Sequence, residues 1–288
     1  MTDFQTRPIT FRAQDGWALA GDLFLPAAPR TAVLISAGTG FPRRFYRHLA
    51  AWLATRGATV LTYDYRGIGD SVGPDIRTSG IDYPHWGRFD MPAAVDTLAE
   101  FAPGLPLTHV AHSVGGHFLG LMPNHGAISR HAFVSVGTGY FGGHHRSYLP
   151  LEFYFWWVMG SYSLLRHRHI KRGGGWQGEP LPPALFRTWR RWAHHRDYFG
   201  SELGTVLRPQ HYDQVTEPIR SWVFTDDPIA TPRSARHLLE SYPNAPHNVT
   251  LNRPGDYGLR RIGHDGAFRP GLEPLWRDIW IWLGGDAA

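Results

Sequence analysis

The 288-residue sequence has no cysteine and a single lysine, Lys171. Without cysteine it forms no disulfide, thiolate-ligated zinc site or iron–sulfur cluster, and it has no thiol nucleophile. Excess charge is also scarce: 29 Lys and Arg stand against 24 Asp and Glu, a net charge of +5. That charge is spread along the chain rather than gathered in a tail, which argues against nucleic acid as the main partner. Long apolar runs are missing too. The most apolar stretch, 151–165, carries Glu152 and Gly160 and falls short of the roughly 18–20 residues needed to cross a bilayer. The opening residues show neither an apolar core nor a small-residue cleavage site. No signal peptide and a cytoplasmic location are therefore expected.

What is present describes an ordered chain. Aromatic residues make up 14%, whereas disordered chains are poor in them. The 33 glycines and 23 prolines stay below the roughly 25–30% that marks low-complexity segments. A chain of this length buries about three quarters of its unfolded surface and needs no covalent staple.

Two alternating runs, 9–13 and 17–25, flank Asp15-Gly16, a hairpin signature. Short unbroken apolar runs follow at 31–36, 58–63, 107–111 and 130–136, with helical spacing over 45–55, 88–101 and 114–121 between them. Such runs between helices predict a mostly parallel sheet covered on both faces. From Gly139 to Thr216 the rhythm is lost, and Trp, Tyr, His and Arg crowd together without a strand signal. The pattern returns with a strand at 219–225, a helix at 232–241, a strand at 248–252 and a closing helix at 272–283. One α/β core, 1–138 plus 217–288, is thus interrupted by an insertion over 139–216. Insertions this long in compact domains are usually functional lids.

The segment His109-Val-Ala-His-Ser113-Val-Gly115 runs from a strand into a helical pattern with Ser113 at the corner. It matches the Gly-x-Ser-x-Gly nucleophile elbow, with Ala111 in place of the first glycine. The plainer alternative is a serine that caps an ordinary helix. A serine nucleophile needs a base and an orienting acid, and elbow folds carry them in the order Ser, acid, His. Asp226-Asp227-Pro228 follows one late strand, and Gly263-His264 follows the last. Each candidate lies just past the C-terminal end of a strand, where open α/β sheets place their sites.

These residues, with Ala37-Gly-Thr-Gly-Phe41, Tyr63-Asp-Tyr-Arg66-Gly-Ile-Gly69 and Trp86-Gly-Arg-Phe-Asp90, give the chain a resemblance to the α/β-hydrolase superfamily. It is most similar to a bacterial group of predicted α/β hydrolases. The resemblance implies an eight-stranded, mostly parallel sheet with an antiparallel second strand, helices on both faces and a helical cap after the sixth strand. It implies Ser113 as nucleophile, Asp227 as acid with Asp226 as its rival, and His264 as base with His247 as the weaker rival. The oxyanion donors would be the backbone N–H groups of Val114 and Thr39, with Gly38 and Gly40 as close rivals. Gly38, Gly40, Phe41, His112, Trp156 and Trp157 are expected to contact substrate. The implied activity is hydrolysis of carboxylic esters or related acyl compounds through an acyl-enzyme, with no cofactor. An acyltransferase, a thioesterase and a non-catalytic scaffold on the same fold are the alternatives.

Other motifs carry less. Gly67-x-Gly69 lacks the third glycine of a dinucleotide fingerprint, because Val72 stands there. Lys171-Arg-Gly-Gly-Gly175 has no following Lys-Ser/Thr and reads as a flexible hinge rather than a phosphate loop. The doublets His144-His145 and His194-His195 lack the i,i+4 spacing of helical metal ligands, so no metal site is expected. The insertion mixes aromatics with Arg166, Arg168, Arg172, Arg187, Arg190 and Arg191. That mix suits packing over the core, an acyl pocket with a basic rim, or transient contact with a lipid surface. Oligomeric state is not legible.

Overall fold

The short apolar runs become adjacent strands in the computed structural model, which describes residues 4–286. The strands are β1 (Phe4–Arg12), β2 (Ala18–Pro26), β3 (Thr31–Ser36), β4 (Ala58–Tyr63), β5 (Leu107–His112), β6 (Ile128–Val134), β7 (Ile219–Phe224) and β8 (His247–Asn252). They form one eight-stranded sheet in the order β1-β2-β4-β3-β5-β6-β7-β8. β2 pairs antiparallel with both β1 and β4, and every other pairing is parallel. β3, β4 and β5 are buried at every position, as continuous apolar strands covered on both faces must be. The edge strand β1 is mostly exposed and contains Pro8, a residue that sheets confine to their edges.

The helices Arg47–Ala54, Met91–Phe101, Pro232–Leu239 and Glu273–Trp282 cover the sheet. The last buries Leu275, Trp276, Ile279 and Trp280, and Trp276 meets Trp52 edge-on at 6.0 Å. Residues 139–216 contribute no strand to the sheet. They form a helical run over Leu149–Phe153, Tyr154–Met159 and Gly160–His167, wider in its middle section, then a second helix, Pro183–Ala193. The insertion shares the core of the sheet domain. Trp192 stacks on Tyr83 at 5.8 Å, and Thr188 donates to Asp82 at 2.8 Å.

One predicted element does not form. Over 114–121 the chain makes two short 3-10 turns, Ser113–Gly116 and Leu119–Leu121, instead of an α-helix. Three glycines and Pro123 weaken helix propensity here, and distant groups take over the backbone pairing. The Gly116 carbonyl accepts from the Tyr242 hydroxyl, the His117 carbonyl from the Tyr212 hydroxyl, and the Gly120 carbonyl from the His211 N–H. A Cβ on Gly120 would lie 2.2 Å from the Tyr212 ring, so only glycine admits this close approach.

Candidate active site

β5 delivers Ser113 to the C-terminal edge of the sheet at a φ of +50°. Left-handed backbone costs a non-glycine residue roughly 1–2 kcal/mol, so the surrounding packing must impose it. Gly115 permits the turn, because a Cβ there would sit 2.5 Å from the Ser36 carbonyl oxygen. Ala111, at the position of the first motif glycine, is fully buried in β5.

Two distant loops meet this serine. Ser113 Oγ lies 3.0 Å from His264 Nε2, and His264 Nδ1 lies 2.9 Å and 3.1 Å from the two carboxylate oxygens of Asp227. Asp227 is buried and also accepts the backbone N–H groups of Ile229 and Ala230. Burial pushes its pKa up, but the His264 charge and these hydrogen bonds outweigh burial and hold it below the usual carboxylate value. For His264, burial pushes downward while the Asp227 charge and hydrogen bond push upward more strongly, so its pKa is raised. Asp226 turns to the backbone instead. It accepts from Ile262 at 2.8 Å and Gly263 at 2.9 Å, which fastens the loop that carries His264. His247 begins the edge strand β8 and turns its Nδ1 to the Ala245 carbonyl.

A second chain of hydrogen bonds links the loop after β3 to the His264 loop. The Gly38 N–H donates to the Tyr46 hydroxyl at 2.8 Å, and that hydroxyl lies 2.8 Å from His112 Nδ1. His112 Nε2 lies 2.9 Å from the His264 carbonyl. Burial and the neighbouring His264 press the His112 pKa down to about 3. A neutral His112 protonated on Nε2 satisfies both contacts. With the Gly38 amide committed to Tyr46, Thr39 and Gly40 are the two of the three candidate donors in this loop that face the cavity.

The cavity above Ser113 measures about 720 Å³ and is lined by Thr39, Gly40, Phe41, Ser113, Val114 and His264 from the core. The insertion adds Tyr148, Trp176, Trp189 and Tyr198. Four expected contacts need correction, since Gly38, His112, Trp156 and Trp157 do not line it. Gly38 and His112 lie behind the wall, in the hydrogen-bond chain just described. Trp156 is buried behind Trp189, their rings 4.8 Å apart, and Trp157 faces outward with its Nε1–H on His194. Trp176 takes their place. Gly173, Gly174 and Gly175 all adopt positive φ, and paired bonds between Gly173 and Trp176 close a tight hairpin. That hairpin lays Trp176 over Gly40, where any Cβ would meet it at 2.4 Å. Glu179 then pins the segment by donating its N–H to the Gly40 carbonyl and pairing with Arg44.

Comparison with known proteins agrees with this architecture. A family described as Serine aminopeptidase, S33 matches residues 27–161, which include Ser113 but stop short of Asp227 and His264. A soluble variant of monoglyceride lipase from Saccharomyces cerevisiae superposes with a TM-score of 0.68 at 17% identity, covering 98% of this chain and 96% of that one. A thermostable carboxyl esterase from Bacillus coagulans gives 0.66 at 16% identity, covering 98% and 99%. An esterase from Pyrococcus furiosus gives 0.61 at 15% identity, covering 98% and 92%. The chain has the α/β-hydrolase fold. No curated protein sequence matches it significantly.

Sequence reasoning missed the part that several residues play in building this site, including His112, which was expected to contact substrate. Tyr46 and His112 act on loops distant in sequence, and Trp176 reaches the cavity only through the glycine hairpin. None of these contacts leaves a periodic or spacing signal. The glycine run itself was the available clue, because three consecutive glycines favour a backbone of positive φ.

Proposed function

We propose that the protein is a serine hydrolase of carboxylic esters, with Ser113, His264 and Asp227 as its catalytic triad. The observation that carries this reading is the alignment of Ser113 Oγ, His264 and Asp227 at 3.0 Å and 2.9 Å beneath a cavity. In the proposed reaction His264 Nε2 accepts the hydroxyl proton while Ser113 Oγ attacks the acyl carbonyl. Asp227 holds the imidazole and stabilises its transient charge. The backbone N–H groups of Val114 and Thr39 face the oxyanion, and each such donor contributes about 3–4 kcal/mol in the transition state. His264 then returns the proton to the leaving alcohol, and water repeats the sequence on the acyl-enzyme. Residues 139–216 serve as a cap whose aromatic residues wall the acyl pocket. The reading includes a cytoplasmic location, which cell fractionation tests.

The matched family's description names an aminopeptidase, but the cavity charges favour an ester. An aminopeptidase must bind a substrate ammonium group. The carboxylates in the wall, Glu179 and Asp265, are both occupied by Arg44 and Arg269 at 2.6 Å. The other charged wall residues include Arg47, Arg172 and Arg261.

The test is intact-mass analysis after treatment with a fluorophosphonate, beside hydrolysis of nitrophenyl esters and aminoacyl anilides. Wild type should take one adduct and cleave the esters. Ser113→Ala should take none, fold normally and lose on the order of 10⁴-fold or more in rate. Near-normal ester hydrolysis by Ser113→Ala would falsify the assignment.

A further inference from the structure

The helical run 149–167 of the insertion buries one face and leaves an apolar one in solvent. Glu152, Trp156, Met159, Gly160 and Ser163 are buried. On the outer side stand Leu151, Tyr154, Val158, Tyr162 and Leu165, spaced three or four apart so that they form one stripe. Leu165 is 87% exposed, Tyr162 63% and Val158 58%. Phe153 and Trp157 widen the stripe, each about half exposed. A surface helix ordinarily turns polar residues outward, and a contiguous apolar patch marks an interaction site.

Charge and position name the occupant. The 153–178 segment has no acidic residue, whereas Arg166, Arg168, Lys171 and Arg172 follow the stripe directly. Arg190 lies over the Trp157 ring at 4.8 Å and adds another cation beside the stripe. A second copy of the chain would bring the same cations face to face, so self-association through this surface is opposed by repulsion. An anionic bilayer complements both features, because apolar side chains enter the acyl boundary while Arg and Lys meet headgroups. The run is bracketed by two cavity-lining residues, Tyr148 before it and Arg172 after it. Tyr154 of the stripe also packs against Gly175, itself a cavity-lining residue, so the stripe adjoins the cavity wall.

We propose that this outer stripe docks the protein reversibly on an anionic lipid surface, with the cavity mouth at the interface. Binding is read without turnover, so its failure and the failure of the hydrolase reading are separate results.

The full chain is sedimented with phosphatidylcholine vesicles and with vesicles containing added phosphatidylglycerol, at low and high salt. Association is expected with the anionic vesicles, weaker with the neutral ones, and reduced by salt. Val158→Gln/Leu165→Gln keeps good helix formers and should lower partitioning about tenfold or more, since it removes two inserting side chains. Arg166→Glu/Arg168→Glu should lower partitioning on anionic vesicles by at least about tenfold. Both double variants should keep wild-type melting temperatures and wild-type rates on a soluble short-chain ester. Absence of binding to anionic vesicles, or undiminished binding by either folded variant, overturns the proposal. So does a wild-type dimer that Val158→Gln/Leu165→Gln dissociates, because the stripe would then be covered by a second copy.

Discussion

Ser113 is held in left-handed backbone by its neighbours, and the same packing aims its hydroxyl at His264. The titration of that histidine sets the expected pH response. Its pKa is raised by Asp227, and only the deprotonated imidazole can accept a proton. The acid limb of the rate profile should therefore fall above about pH 6.5, the ordinary imidazole value. Asp227→Asn removes the charge and the correct tautomer. Its rate should drop about 10⁴-fold, and the acid limb of the residual activity should move to lower pH. A pH–rate series on both proteins checks this. An unmoved limb would mean that another group titrates. Asp226, one residue away, has a different task, because its carboxylate is spent on the backbone of the His264 loop.

The elements around the serine obtain their backbone bonding from far away. The 3-10 turns after β5 rely on Tyr212 and Tyr242, each a buried tyrosine whose hydroxyl donates to a carbonyl of the turn. Tyr212→Phe leaves the His117 carbonyl without that donor and should destabilise the fold by about 1–3 kcal/mol. Urea denaturation measures the loss, and an unchanged midpoint would show that the turn finds another partner. The glycine hairpin of the insertion works similarly. Its three positive-φ residues bring Trp176 onto Gly40, and Glu179 secures the contact. The cavity wall is consequently joined to the loop proposed to bind the oxyanion.

At the scale of the whole molecule, four buried histidines make stability depend on pH. Burial lowers His109 and His112 to about 3 and His117 to about 4, and burial with the neighbouring His109 and His125 holds His131 well below its ordinary value. His109 and His131 face each other across β5 and β6 with Nδ1 atoms 3.1 Å apart, so both cannot be protonated there. Each group is depressed in the folded state and takes a proton on unfolding once the pH falls below about 6.5. Their contribution is therefore complete above that value and is lost as pH falls toward the folded values. Each fully neutral buried histidine adds about 1.4 kcal/mol per pH unit to the slope in that window. His264, with its raised pKa, acts in the opposite direction near neutrality. Melting temperatures measured from pH 7 to pH 4 should fall steeply, and His109→Phe should flatten the curve. A flat wild-type profile would mean that these rings are hydrated rather than buried.

Much of this was legible in the chain itself. The 31–36 and 58–63 runs are strands over those same residues, because six-residue apolar segments rich in β-branched residues between turns suit a sheet covered on both faces. The elbow at Ser113 and the order Ser, Asp, His were readable for the same local reason, since each follows a strand end. Where two neighbours competed, local pattern gave no physical reason for the choice, although the family resemblance favours Asp227 over Asp226. Asp226 and Asp227 are chemically identical, and only the path of the distant His264 loop gives one the imidazole and the other the backbone. Trp156 and Trp157 looked like pocket residues, yet helix rotation buries one and exposes the other while the hairpin delivers Trp176. The 114–121 helix failed because its carbonyls found partners about 90 to 130 residues away in sequence. Sequence determined the elements whose burial is set by their own periodicity. The tertiary structure decided every choice that depends on which distant donor, acceptor or ring arrives alongside, because those contacts exist only once the chain has closed on itself.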